Sequence, residues 1–137
     1  MSAVAGHMRR LRALLPGASI EVTGSASVDG LVANDIDLVV LVDDVASAAA
    51  RVARAYAPLY REEWREDWAA FRDAGPPQVD VILTRAGTRG DEHHRLAWRL
   101  LATDPALLDE YRELKLTRDD YEARKRAFFE RVVALLP

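Results

Sequence analysis

The chain has 137 residues, half of them hydrophobic and 30% charged, with a formal net charge of −3 and a pI near 5.6. That length suits one domain with a real core, and the balance excludes a disordered chain and argues against a general nucleic-acid binder, which carries a basic face. The lack of cysteine rules out disulfides, thiolate metal sites and a cysteine nucleophile, and no apolar run reaches the roughly 18 residues of a membrane span.

Arg9, Arg10 and Arg12 interrupt the N-terminal apolar stretch, so no secretory core is expected there and the cytoplasm is the expected location. Gly6-His7-Met8 looks like a cloning scar ahead of a native Met8, and residues 1–7 are left out of the expected fold. Met8 to Leu15 repeats apolar residues at helical spacing and stops at Pro16-Gly17. Ser19 to Thr23 alternates as a strand, and Ser25 to Asn34 is a turn-rich connection containing Gly30. Asp35 to Val42 is the strongest strand, apolar on both faces after Asp37, which predicts a central position covered on both sides.

Asp44 is the expected N-cap of a helix from Val45 to Tyr56. Leu59 to Phe71 stays open: Tyr60, Trp64 and Trp68 fall at i, i+4 and i+8, which suits a helix face and a hairpin alike. Gly75-Pro76-Pro77 marks a turn and Val79 to Thr84 a third strand. Helices are then expected over Asp91–Ala102, Pro105–Leu116 and Asp119–Leu136, the second capped by Asp104 and the third by Thr117 or Asp119. The result is one α/β (α+β) domain, a mixed sheet packed with helices and a helical C-terminal half.

Asp35 and Asp37 are two apart on a strand, so their carboxylates leave the same face. Such a pair is self-repelling. A divalent cation gives it a purpose, since Mg²⁺ commonly takes one or two carboxylates and completes its shell with water and phosphate. The plain alternative is a turn residue followed by an aspartate facing solvent. Upstream, Gly24-Ser25 follows a strand directly and can offer backbone N–H groups and a hydroxyl to phosphate oxygens. Asp80 stands between Val79 and Val81 on a predicted strand, where a carboxylate needs a partner or a metal. Beside the other strand it would serve as a third metal ligand or as the base for an acceptor hydroxyl; otherwise it is an edge residue facing water.

A strand, Gly-Ser, a loop and then Asp-hydrophobic-Asp on the next strand resembles the signature of the nucleotidyltransferase superfamily related to DNA polymerase β. Within it, Gly24-Ser25-Ala26-Ser27-Val28-Asp29-Gly30-Leu31 resembles the "GSTSVPGL" box of the GrpB family. Asp104-Pro105 through Tyr111 to Lys115 is similar to that family's "HPxxxxEYxxLK" segment, and Tyr121, Lys125 and Phe128 fall on its "YxxxKxxF" helix. Arg99 resembles the arginine of its "FRD" motif, without the aspartate. Asp29 replaces the box's proline, Asn34 replaces a lysine, and Val79-Asp80-Val81 stands where many members carry histidines.

The resemblance implies a nucleotidyltransferase-like fold over roughly residues 20–136. It also implies transfer of a nucleotidyl group from an NTP, ATP foremost, to a hydroxyl-type acceptor with Mg²⁺ or Mn²⁺. Asp35, Asp37 and Asp80 would be the catalytic and metal-binding set. Gly24 and Ser25 would seat phosphates, with Ser27, Arg99, Lys115 and Lys125 as further contacts. Lys115 and Lys125 are the only lysines among 19 basic residues, which favours them where a compact ammonium is needed. Tyr121 and Phe128 read as core. His93 and His94 diverge by about 100° on a helix and read as a solvated turn, with His94 the one that could line the site. Two rivals share this fold: a non-catalytic nucleotide-binding or regulatory module, and a partner protein of the minimal-nucleotidyltransferase toxin–antitoxin kind.

Overall fold

The structure is a computed structural model and describes residues 2–28, 31 and 35–137. Asp29, Gly30 and Asn34 lie outside the described residues. Five strands form one sheet in the order β1-β2-β5-β4-β3: β1 Ser19–Thr23, β2 Ile36–Leu41, β3 Ala57–Leu59, β4 Trp68–Asp73 and β5 Val79–Thr84. Only β2 and β5 run parallel; the other pairs are antiparallel. The helices are α1 Ser2–Leu14, α2 Val45–Val52, α3 over 89–103, α4 Pro105–Leu116 and α5 Tyr121–Ala134.

Strand alternation divides the core. Leu38 and Val40 of β2, Val79, Val81 and Leu83 of β5 and Phe71 of β4 point to one face and pack with Leu11 of α1 and Val45 and Val52 of α2. Val39, Ala70 and Ile82 point to the other, where Trp68 joins them. Leu38, Val39 and Val40 are all fully buried, as the continuous apolar run of β2 predicts. A separate aromatic core of Tyr111, Phe128 and Phe129 holds α3, α4 and α5 together. Phe128 is core, as expected.

Several boundaries move. The first helix begins at Ser2 rather than Met8, with Val4 buried and His7 Nδ1 2.7 Å from the Tyr56 hydroxyl. Asp44 caps α2 by accepting from Ser47 N–H, but that helix ends at Val52, short of Tyr56. The segment 59–71 is a hairpin, with a short 3-10 turn at Arg61–Glu63 between β3 and β4. Asp104 caps α4 through Ala106 and Leu107 N–H. For α5 the capping position is Asp120, not Thr117 or Asp119, and its side chain makes no capping bond.

Within α3, α-helical Arg89–Asp91 and Ala97–Thr103 are joined by a π turn over Glu92–Leu96. Its start is anchored by buried Asp91, which accepts from Arg95 Nε at 2.5 Å and from Gly87 N–H at 2.9 Å.

Candidate active site

The sheet register lines up four polar residues on one face: Thr23 pairs with Asp37, Asp37 with Asp80, and Asp80 with Arg72. Residues paired across neighbouring strands project to the same side. One row therefore carries a hydroxyl, two carboxylates and a guanidinium across β1, β2, β5 and β4. Asp35 lies two residues before Asp37, exposed at the entry to β2. The row borders a cleft of about 830 Å³ between this sheet face and the C-terminal helices. Thr23, Asp37, Asp80 and Ile82 form one wall, and Arg89, His93, His94, Lys125, Arg126 and Phe129 the other. The Thr23 hydroxyl donates to the His94 carbonyl and so ties the walls together.

Gly24 turns the chain out of β1 at φ +68°, and a Cβ there would stand 2.2 Å from Asp37 Oδ2. Only glycine allows both that left-handed backbone and that approach. A 3-10 turn, Gly24–Ser27, follows and presents Ser25 to α4. Lys115 Nζ donates to Ser25 Oγ at 3.4 Å, and the Tyr111 hydroxyl lies beside the same serine. Burial pushes the Tyr111 phenol up to about 12, so it stays a proton donor. Ser27 Oγ donates instead to the Gly24 carbonyl at 2.7 Å, which holds the turn closed.

The carboxylates are not equivalent. Burial, then the charges of Asp80 and Asp35, push Asp37 up to about 6, with Lys125 and Arg72 acting the other way. A cation beside Asp37 would relieve that strain on its ionised form, so the Asp35–Asp37 pair suits a divalent ion. Asp80 is different: Arg72 Nε donates to Oδ1 at 2.7 Å and a terminal nitrogen to Oδ2 at 3.0 Å. Among the described residues no three acids or histidines are gathered to hold a metal ion. Asp37 and Asp80 share the sheet face, Asp35 stands exposed before β2 and outside the cleft lining, and the three do not form one ligand cage.

A family model described as GrpB protein matches residues 2–134. The chain belongs to the GrpB family. The crystal structure of the conserved protein GrpB from Enterococcus faecalis superposes with a TM-score of 0.75 at 17% identity, covering 97% of this chain and 92% of that one. That likeness supports the fold. No curated protein matches.

On this GrpB scaffold, Gly24, Asp37, Asp80 and Lys125 line the cleft, and Ser25 and Lys115 meet beside it. Arg99 does not join them: it forms a two-pronged ion pair with Glu21 of β1, two register positions from the row. His93 and His94 both line the cleft, from the π turn of α3. His94 lies against the Trp68 ring, and burial, then His93 and Arg65, push it down to about 4, so it is neutral. The Trp68 indole N–H is buried with no hydrogen-bond partner among the described residues. Arg72, Tyr111, Trp68 and His93 shape this site without having been expected in it.

Proposed function

We propose that this GrpB-family chain is a metal-dependent nucleotidyltransferase that moves an NMP group from an NTP, ATP foremost, to a hydroxyl-type acceptor. The observation that carries the reading is the polar row, with Asp37 and Asp80 side by side in the cleft and Asp37 packed against the Gly24 turn.

Asp35 and Asp37 would hold Mg²⁺ or Mn²⁺, which when bound neutralises phosphate charge and polarises the phosphoryl oxygens. Ser25, Lys115 and the backbone of the Gly24–Ser27 turn receive the β and γ phosphates. Lys125, a point charge facing Asp37 with no ion-pair partner among the described residues, contributes a further phosphate contact. The acceptor oxygen attacks the α-phosphorus and the bond to the β-phosphate oxygen breaks. Pyrophosphate leaves and Asp80 takes the acceptor's proton. Lining up nucleophile and phosphorus supplies much of the rate in such a displacement.

Incubation with α-labelled ATP, Mg²⁺ or Mn²⁺ and pooled small-molecule and macromolecular acceptors tests this. Labelled product with one equivalent of pyrophosphate, lost in Asp37→Asn, is expected; no pyrophosphate with any pool counts against it. A nucleotide-binding module without catalysis is favoured by the occupation of Asp80 by Arg72. That reading predicts ATP binding, abolished by Gly24→Ala, with no turnover.

A further inference from the structure

The Arg72–Asp80 pair is the most fully made polar contact in the cleft. Both carboxylate oxygens receive a guanidinium N–H, at 2.7 and 3.0 Å, and the carboxylate side chain is only 17% exposed. The two residues sit opposite each other on antiparallel β4 and β5, so the backbone register itself delivers the fork to the carboxylate. The Tyr60 hydroxyl also contacts Arg72. An arginine cannot shed its proton to make way for another cation. A divalent ion approaching Asp80 would meet a carboxylate already neutralised and a fixed positive charge beside it. Asp37 feels the charges of Lys125 and Arg72, but neither cation makes a hydrogen bond to it.

We propose that Arg72 is a resident counter-cation that withholds Asp80 from the metal, so that a divalent ion in the cleft is held through Asp37 and not through Asp80. Arg72 is thus a positioning residue: it keeps Asp80 on the acceptor side of the row. The identity of the cation rests on the metal-dependent reading above; the pairing of Asp80 with Arg72 does not.

Mn²⁺ titration without nucleotide, followed by the electron paramagnetic resonance of the free ion, tests this at fixed pH. Asp37→Asn is expected to weaken binding by about ten-fold or more, while Asp80→Asn stays within about two-fold of wild type. Arg72→Gln is expected to tighten binding by about ten-fold or to add a second ion, and Arg72→Gln/Asp80→Asn to erase that gain. Thermal melts confirm folding; if Arg72→Gln does not fold, Arg72→Lys, which keeps one donor, is expected to shift binding in the same direction by less. Loss of Mn²⁺ affinity in Asp80→Asn as large as in Asp37→Asn overturns the inference, as does an unchanged affinity in a folded Arg72 variant. If wild type binds no Mn²⁺ but Arg72→Gln does, through Asp80, the inference stands and the metal-dependent reading falls. No binding by any variant overturns both.

Discussion

The carboxylate of Asp37 occupies the space that any side chain on residue 24 would need, since a Cβ on Gly24 would lie 2.2 Å from Oδ2. The Gly24 turn and the Asp37 carboxylate are therefore packed as one unit. Neither can shift without moving the other.

Gly24→Ala should for that reason cost more than a turn substitution. The left-handed backbone at φ +68° alone disfavours alanine by about 1–2 kcal/mol. The clash must also displace Asp37, and an ångström-scale misplacement at a reacting centre costs about a hundred-fold in rate. A melting curve and a pyrophosphate-release assay together check this. A variant with lowered Tm but full turnover would show that the contact is structural only.

Asp37 also predicts a pH signature. Its folded carboxyl sits at about 6 against an ordinary 3.8, so the folded state binds a proton more readily than the unfolded chain. Stability from this group is full below pH 3.8 and is lost as pH rises towards 6, by at most about 3 kcal/mol. His94 has the opposite sign: at about 4 against 6.5, it costs stability as pH falls through that interval. The wild-type profile is a sum of opposed contributions, and the difference between wild type and Asp37→Asn isolates the first. Asp37→Asn should be the more stable protein at pH 7.5, with its advantage shrinking towards pH 4. Equal melting temperatures at both pH values would refute the burial argument.

The α3 anchor gives a structural contrast outside the row. Asp91 is completely buried and two-pronged with Arg95. Burial alone would raise its carboxyl, but the Arg95 and Gly87 donors hold it below 3.8, so its contribution is complete above that pH and lost in stronger acid. Asp91→Asn leaves the Arg95 charge without its partner and should cost about 3 kcal/mol, read as a drop in urea midpoint at pH 7. The deficit should shrink in acid, where the wild-type carboxylate protonates too. A constant deficit from pH 7 down to 3 would argue against an ionised Asp91.

What is legible in the sequence follows from where the geometry is local. Alternation predicts Asp35 and Asp37 on one face, but the strand begins at Ile36, so only Asp37 is placed by it; β-branched runs identify β2 and β5. That Asp80 stands beside Asp37 needs one further fact, the parallel pairing of those strands. Arg72 is invisible at that level because its link to Asp80 depends on the β4–β5 register. The β4 segment itself carries aromatics at a spacing that a helix would share. His94 lines the cleft as the helical reading allowed, whereas the cleft position of His93 and the ion pair of Arg99 with Glu21 depend on how α3 packs against the sheet, which no local pattern carries.

Two of the three basic residues carried over from the family's C-terminal motifs, Lys115 and Arg99, now separate. Lys115 reaches Ser25 Oγ from α4 and lies over the Tyr111 ring at 5.5 Å, so it stands at the Gly24–Ser27 turn while remaining exposed. Arg99 is held by Glu21 and does not line the cleft. Lys115→Met should weaken binding of a non-hydrolysable ATP analogue by about ten-fold, the worth of one charge-assisted bond, with little change in Tm. Arg99→Ala should leave nucleotide affinity within about two-fold and lower stability by less than about 1 kcal/mol, because the ion pair it breaks is half-exposed. Calorimetric titration of both variants decides the matter. Weakened binding in Arg99→Ala with an unaffected Lys115→Met would relocate the triphosphate away from the Gly24 turn and towards β1.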